Sequence, residues 1–229
     1  MRTLSPDNPA LKSGRSIFWA KQLKAPNEVK RMLQPASMNA KLGAGKTTIT
    51  KGAWKGMPLY QLTLEERKTC PKTCQQWTNC YGNNMPFGNR IDHEDNDFYT
   101  ELSREISELG SKHPAGFVIR LHVLGDFFSV RYVKFWAKAL KKHPELRIFG
   151  YTHRSKVSAI GKRIEVLNQD PRFWVRWSDA SGEMSANVDK PDGTLGEGIH
   201  CPQQTLKTAS CLTCALCWSV KLPIRFSAH

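Results

Sequence analysis

Seven cysteines carry the clearest chemical information in this sequence of 229 residues. They form two groups, which we call the upstream and the downstream cysteines, with a long segment of chain between them. The upstream cysteines are Cys70, Cys74 and Cys80, and the downstream cysteines are Cys201, Cys211, Cys214 and Cys217. An odd count, in a chain whose N-terminus lacks the apolar centre of a signal peptide, argues against a disulfide framework. The clustering therefore favours thiolates that bind metal.

The downstream cysteines have a spacing typical of ferredoxins. Cys211, Cys214 and Cys217 form a C-x2-C-x2-C run, and Cys201, which precedes a proline, can supply a fourth thiolate. Three thiolates so close in sequence can each bind a different iron of one cuboidal cluster, and a more distant cysteine can bind the last. Zinc is the alternative metal, but zinc sites usually pair two C-x2-C hooks separated by a dozen residues. The pattern favours a [4Fe-4S] cluster.

The upstream cysteines form a C-x3-C-x5-C arrangement that supplies three thiolates and no obvious fourth ligand. A four-iron cluster held by three cysteines has one iron open to a substrate or cofactor. Alternatively, a nearby histidine or a downstream cysteine closes the site, and all seven thiols serve folding alone. The three upstream cysteines match one open cluster and the four downstream cysteines match one closed cluster, so that all seven cysteines are used.

The charge of the chain is strongly positive, with 34 Lys and Arg against 20 Asp and Glu and a formal net charge of +14. The excess lies mainly in residues 1–90 and 111–150, while residues 91–110 are acidic. Such a field attracts phosphates, so nucleic acid, a nucleotide or an anionic protein is an expected partner. The alternative is a set of lysines that are simply solvated.

The pattern of apolar residues from 98 to 178 predicts alternating helices and strands. GFVIRLHVLGDFF, LRIFGYTH and PRFWVRWSDASG have the composition of strands, and the segments between them have helical spacing. This order predicts an α/β fold, either an incomplete parallel (β/α) barrel or an open parallel sheet. We expect a basic N-terminal arm over residues 1–55, an α/β core over 56–195 and a C-terminal cysteine-rich metal-binding segment over 196–229.

Polar residues follow each of the three predicted strands, at the edge where parallel sheets usually bind ligands. The candidates for orienting a substrate or moving protons are Asp126, His153, Arg176 and Asp179. Each could instead be a structural cap or a buried polar residue. Strand alternation also places Arg120 and His122 on the same face as Asp126, where they could form the floor of a cofactor site.

The segments LTLEERKTCPKTCQQWTNCYGNNMPF, RLHVLGDFFSVRYVKFW, IFGYTHR and CPQQ with CLTCALCW resemble a family of phage and prophage proteins, the gene-product-88 family. More distantly, the layout is similar to radical S-adenosylmethionine enzymes, although their usual spacing is C-x3-C-x2-C. That resemblance implies that the upstream cysteines hold the open cluster. It also implies that Tyr81 is the aromatic residue after the last ligand, that Gly125 and Asp126 contact the methionyl amine, and that S-adenosylmethionine is a cofactor.

These features predict an iron–sulfur protein with one or two [4Fe-4S] clusters. We expect an enzyme that performs one-electron or radical chemistry at the open cluster, on a nucleotide or a nucleic-acid-related substrate. One alternative is a non-enzymatic nucleic-acid-binding protein stapled by zinc or a closed cluster. Another is a redox or regulatory module that exchanges electrons with an electron donor protein. No membrane-spanning segment is evident, and we expect a cytoplasmic protein, in the host cytoplasm if a phage encodes it.

Overall fold

The computed structural model describes residues 2–178, 180–190 and 193–227, and these form six α-helices and ten β-strands. The helices are α1 (Pro9–Ser13), α2 (Trp19–Gln22), α3 (Phe98–Lys112), α4 (Val130–Lys142), α5 (Ala159–Leu167) and α6 (Cys211–Cys214). The strands are β1 (Leu23–Lys24), β2 (Gln34–Pro35), β3 (Leu59–Gln61), β4 (Arg90–Ile91), β5 (Phe117–Leu121), β6 (Leu146–Thr152), β7 (Phe173–Ser178), β8 (Ser185–Val188), β9 (Ile199–His200) and β10 (Ile224–Phe226).

Eight of these strands form one mostly parallel sheet in the order β2-β3-β5-β6-β7-β8-β10-β9. Every neighbouring pair is parallel except β2 with β3. The edge strands β2 and β9 do not pair with each other, so the sheet does not close into a barrel. The α/β prediction is confirmed, and of its two alternatives the structure has the open sheet. A separate two-stranded sheet pairs β1 with β4 in parallel.

One face of the sheet is covered by α3, α4 and α5. The apolar stripe of α4 comprises Tyr132, Val133, Trp136, Ala139 and Leu140, and all five are buried. Ser129 begins this helix, because its hydroxyl accepts a hydrogen bond from the Tyr132 amide at 3.1 Å. Alternate residues of β5, β6 and β7 meet the helices in one continuous core. This face therefore follows the helical and strand periodicities of the sequence.

The other face of the sheet is covered by the N-terminal and C-terminal segments together. Leu42, Ile49 and Trp54 are buried there against Val118 and Phe149 of the sheet. From the C-terminal segment, the indole of Trp218 stacks on that of Trp54 with 5.8 Å between ring centroids. Residues 36–54 are thus part of the folded core, although the sequence suggested an arm.

The long helices confirm the sequence prediction, whereas the shorter elements differ from it. The strand predicted in GFVIRLHVLGDFF ends at Leu121, because the chain then turns into the loop that precedes α4. Near the start of the chain, Pro26–Glu28 form a single 3-10 turn rather than a longer helix. The short strands β8, β9 and β10 carry no periodicity strong enough to predict. No helix within the described residues is long and apolar enough to cross a lipid bilayer.

Candidate functional site

The upstream cysteines lie in a loop that packs against the carboxyl ends of β5 and β6. The loop begins at Thr69, whose hydroxyl accepts a hydrogen bond from the Asp126 amide at 3.2 Å. Gly125 has a φ of +90°, and a Cβ atom on it would lie 2.6 Å from the Thr69 hydroxyl oxygen. Only glycine therefore allows this close approach, and it brings Asp126 next to the start of the cysteine loop.

Asp126 is buried and connects three segments of the site. One carboxylate oxygen accepts hydrogen bonds from the Thr152 hydroxyl at 2.7 Å and the Phe127 amide at 2.6 Å. The other accepts one from the His153 amide at 2.8 Å. Burial raises the pKa of Asp126, although these hydrogen bonds act in the opposite direction. The carboxylate thus fixes the end of β6 against the end of β5.

His153 and Arg154 extend from the end of β6 to the cysteine loop. The Nε2 atom of His153 lies 3.1 Å from the carbonyl oxygen of Thr73, inside the loop. Because a carbonyl oxygen can only accept, this contact requires the proton on Nε2. Arg154 donates to the carbonyl oxygens of Thr69 at 2.6 Å and Phe127 at 2.7 Å. His153 is one of the predicted site residues, whereas Arg154 is not, because no spacing in the sequence distinguishes it.

A buried ionic scaffold supports the cysteine loop from below. Glu66 and Arg90 are almost completely buried and form an ion pair at 3.0 Å. Arg90 also donates to the carbonyl oxygens of Gly82, Met85 and Gly88, which follow the last upstream cysteine. Nothing in the sequence predicts that these two residues form a buried ion pair, because such a pair depends on tertiary contacts. They fix the chain on both sides of the loop.

The upstream thiols lie close enough to one another to interact electrostatically. Burial raises the pKa of Cys70 well above its usual range, and the charges of Asp126, Cys80 and Cys74 raise it further. Burial also raises the pKa of Cys80, against the effects of Arg67 and Arg90. The structure thus brings together the three predicted upstream cysteines, Asp126 and His153. Tyr81 is exposed at the start of the 3-10 helix that follows Cys80.

The downstream cysteines lie on the other face of the sheet. All four line one small cavity of about 10 Å³, which Pro202, Leu216, Trp218 and Ile224 also line. Cys201 enters it from the loop after β9, whereas the other three come from α6 and the turn after it. The predicted set of four is therefore assembled around one space.

Two cations, Lys41 and Arg120, lie beside the downstream thiols. Burial lowers the pKa of Lys41, and the nearby groups acting on it are Cys201, Arg120, Cys211 and Cys217. Arg120 lies over the ring of Tyr151, and its Nε atom is buried without a hydrogen-bond partner. Among the described residues, neither cation forms an ion pair with a carboxylate. Burial raises the pKa of the Cys211 thiol to about 12.

Tyr151 and Arg176 tie the downstream cysteines to the sheet. The Tyr151 hydroxyl donates to the Cys217 sulfur at 2.9 Å. Burial raises the pKa of the Cys217 thiol, and this hydrogen bond acts in the opposite direction. Arg176 is fully buried and donates to the carbonyl oxygens of Cys217, Ser185, Val220 and Leu222. The structure therefore places Arg176 beneath the downstream cysteines rather than at the sheet edge with Asp126. Asp179 lies outside the described residues.

Arg120 and His122 do not share a face, contrary to the expectation from strand alternation. The strand ends at Leu121, so the alternation stops before His122. Arg120 points toward the downstream cysteines, while His122 is buried against Phe127 and Tyr132. Its Nε2 atom lies 2.9 Å from the Tyr132 hydroxyl. The two residues therefore do not form the floor of one cofactor site.

Burial lowers the pKa of His122 to about 3, so the folded protein holds a neutral imidazole. Because the unfolded chain binds this proton near pH 6.5, stability should fall as the pH drops from about 6.5 toward 3. Replacing His122 with Gln should make this decline shallower by up to about 1.4 kcal/mol per pH unit. Urea unfolding of both proteins between pH 4 and pH 7 measures the difference. Parallel stability curves would contradict the assignment.

No three His, Cys, Asp or Glu side chains among the described residues converge to a site that could hold a metal ion. The downstream thiols surround a space instead of meeting at one point.

Comparison with known proteins identifies a phage family. The family model described as Gene product 88 matches residues 31–178. The chain is also similar to the Gene 88 protein of Mycobacterium phage L5, with 25% identity over 154 residues. This alignment covers 57% of the chain and 64% of the phage L5 protein, so it spans less than two thirds of that relative. No solved structure matches.

The matched region contains β3 to β7, the upstream cysteines, Asp126 and His153, whereas the downstream cysteines lie beyond its end. It therefore covers the sheet edge and the loop that pack together in this structure, and it extends over more than half of the chain. On this match, the chain belongs to the Gene product 88 family.

Proposed function

We propose that this protein is an iron–sulfur protein. In this proposal Cys201, Cys211, Cys214 and Cys217 hold a closed [4Fe-4S] cluster, and the upstream cysteines hold a second, open one. A bound cluster supplies one-electron transfer, and a cluster with three cysteine ligands leaves one iron for an external ligand. The chain's own residues position the thiols and balance their charge.

The observation that carries the proposal is the charge around the downstream cavity. Lys41 and Arg120 lie beside the thiols of Cys201, Cys211 and Cys217 and have no carboxylate partner among the described residues. Placing two cations in a partly buried environment is unfavourable unless anions compensate them. Neutral thiols do not provide that compensation, whereas metal-bound thiolates do. The cations therefore support thiolates, and thus a metal, at this site.

The convergence of four thiols on one cavity supports a shared metal centre. A cubic cluster spreads its four cysteine ligands over four irons, so the thiols need to surround a space. All four downstream thiols line one common small cavity. The Tyr151 hydroxyl donates to the Cys217 sulfur, and hydrogen bonds to cysteine sulfur are a known means of tuning cluster potentials.

At the upstream site, the proposed reaction site, Asp126 and His153 flank the cysteine loop. Asp126 already accepts three hydrogen bonds, so its role there is to hold the loop and the end of β6 in place. The imidazole of His153 is the group that could hold or move a proton beside the loop. S-adenosylmethionine is a candidate ligand of the open iron because of the distant similarity to radical S-adenosylmethionine enzymes. A nucleotide-related substrate follows from the basic charge of the chain.

Metal analysis of the anaerobically purified protein tests this proposal. We expect about eight irons and eight sulfides per chain and little zinc. Replacing Cys211 or Cys74 with Ser should each remove about half of the iron. The exposed Lys207 and Lys72, in the same two segments, give matched control variants (Lys207→Ala and Lys72→Ala) that should keep the full content.

Each outcome of the metal analysis has a definite meaning. A content of four irons per chain that is lost in Cys211→Ser but kept in Cys74→Ser would mean that only the closed cluster at the downstream cysteines exists. Stoichiometric zinc without iron would overturn the proposal and favour a metal-stapled binding protein. Electron paramagnetic resonance of the reduced protein, with and without S-adenosylmethionine, tests the open iron, because only an accessible iron gives a spectrum that the added ligand changes.

A further inference from the structure

We propose that the outer face of α4 binds the phosphate backbone of nucleic acid. Five exposed cations, the basic stripe, lie on this helix: Arg131, Lys134, Lys138, Lys141 and Lys142. At 100° per residue they fall within an arc of about 100°, opposite the buried apolar stripe. The helix therefore presents one continuous row of positive charge to solvent.

The basic stripe is not neutralised by the rest of the protein. Among the described residues, none of its five cations forms an ion pair. The acidic residues around the helix are already engaged, since Glu145 pairs with His143, and Glu101 and Glu108 of the adjacent α3 pair with Arg104. The neighbouring helix α5, which packs against α4, adds the exposed Lys162 and Arg163 and has one acid, Glu165.

The dimensions of the stripe fit a nucleic-acid backbone. From Arg131 to Lys142 the helix rises about 16 Å, and duplex DNA carries one phosphate charge per roughly 1.7 Å of its axis. Five cations on this length can therefore each meet a different phosphate. Four of the five are lysines, a residue type that is depleted in protein–protein interfaces and common in phosphate contacts. These features favour a nucleic acid over an acidic protein.

This surface is separate from the proposed downstream cluster. Helix α4 packs on one face of the sheet, and the downstream cysteines lie on the other. The two proposals can therefore fail independently. Loss of metal at the downstream cysteines should leave the basic stripe in place as long as the helix face of the sheet stays folded.

The test is salt-dependent binding of a fluorescein-labelled 20-base-pair DNA duplex, followed by anisotropy. For five phosphate contacts, we expect log K to fall with log salt at a slope of about −4.5. The triple variant Lys134→Gln, Lys138→Gln and Lys141→Gln should reduce that slope by about 2.7 and weaken binding about tenfold or more. Glutamine keeps the helix propensity of lysine, so α4 should remain folded.

The matched control removes an equal number of lysine charges, three, from the opposite side of the sheet. Lys46, Lys51 and Lys55 are exposed in the segment that covers the downstream face, and their change to Gln should leave the slope near −4.5. An equal loss in both triple variants would overturn the proposal, because binding would then follow net charge alone. Displacement of the duplex by polyglutamate at equal charge concentration would also overturn it, in favour of an acidic protein partner.

Discussion

Replacing Arg176 with methionine is expected to destabilise the protein by about 3–5 kcal/mol, since the loss of one partner from a buried charged network costs about this much. The Arg176 guanidinium is fully buried and donates to four carbonyl oxygens, three of which belong to the C-terminal segment that carries the downstream cysteines. Methionine fills a similar volume but donates no hydrogen bond. The C-terminal segment should therefore detach first, and its cleavage by protease should accelerate.

Urea unfolding and limited proteolysis measure this effect. Arg176→Lys keeps the charge but has a single nitrogen in place of the guanidinium fork, so we expect an intermediate loss. Arg163→Met changes an exposed arginine of α5 and should alter the stability by less than about 0.5 kcal/mol. A stability of Arg176→Met within about 1 kcal/mol of the original protein would contradict the role given to these hydrogen bonds.

Arg176 also illustrates where sequence reasoning about the site reached its limit. Its position at the end of a predicted strand was correct, since β7 is Phe173–Ser178. The alternation of β7 sets the face on which Arg176 lies, but its partners there depend on which segment covers that face. The covering segments are residues 36–54 and the C-terminal chain, and neither has a periodicity that reveals its packing partner. A strand-end arginine therefore could not be distinguished from one that holds neighbouring loops.

The helix side of the fold was predictable for a physical reason. The stripe of α4, from Tyr132 to Leu140, is buried against alternating residues of the strands, and both periodicities are local properties of the chain. The same holds for the clustering of Cys211, Cys214 and Cys217. By contrast, Lys41 lies far from these cysteines in sequence, and only the folded chain brings it beside them.

The end of β6 joins the two cysteine groups. Tyr151 donates to Cys217 of the downstream group, and His153, two residues later, contacts the upstream loop at Thr73. Thr152, between them, donates to Asp126. Two residues of extended chain span only about 7 Å. A displacement of the backbone here would therefore move the contacts to both cysteine groups. This segment thus contacts both cysteine groups through hydrogen bonds.

A second large effect is expected at Lys41, where the sign should depend on whether metal is bound. In the metal-free chain, burial raises the pKa of Cys211 and Cys217, so these two thiols are neutral and Lys41 is a half-buried cation without a compensating anion. Lys41→Met should therefore stabilise the metal-free protein by about 1–3 kcal/mol. Methionine retains packing volume beside Phe226, over whose ring the ammonium lies at 5.3 Å.

In the metal-loaded protein the same substitution should destabilise by a similar amount, because the thiolates then lose one of their two compensating cations. Urea unfolding of both forms, prepared with and without a chelator under anaerobic conditions, gives the four free energies that are needed. Lys46→Met, an exposed lysine in the same segment, should change neither form. If Lys41→Met changes the free energy of unfolding in the same direction in both forms, the charge of the thiols does not change when metal binds. The argument for metal-bound thiolates would then fail.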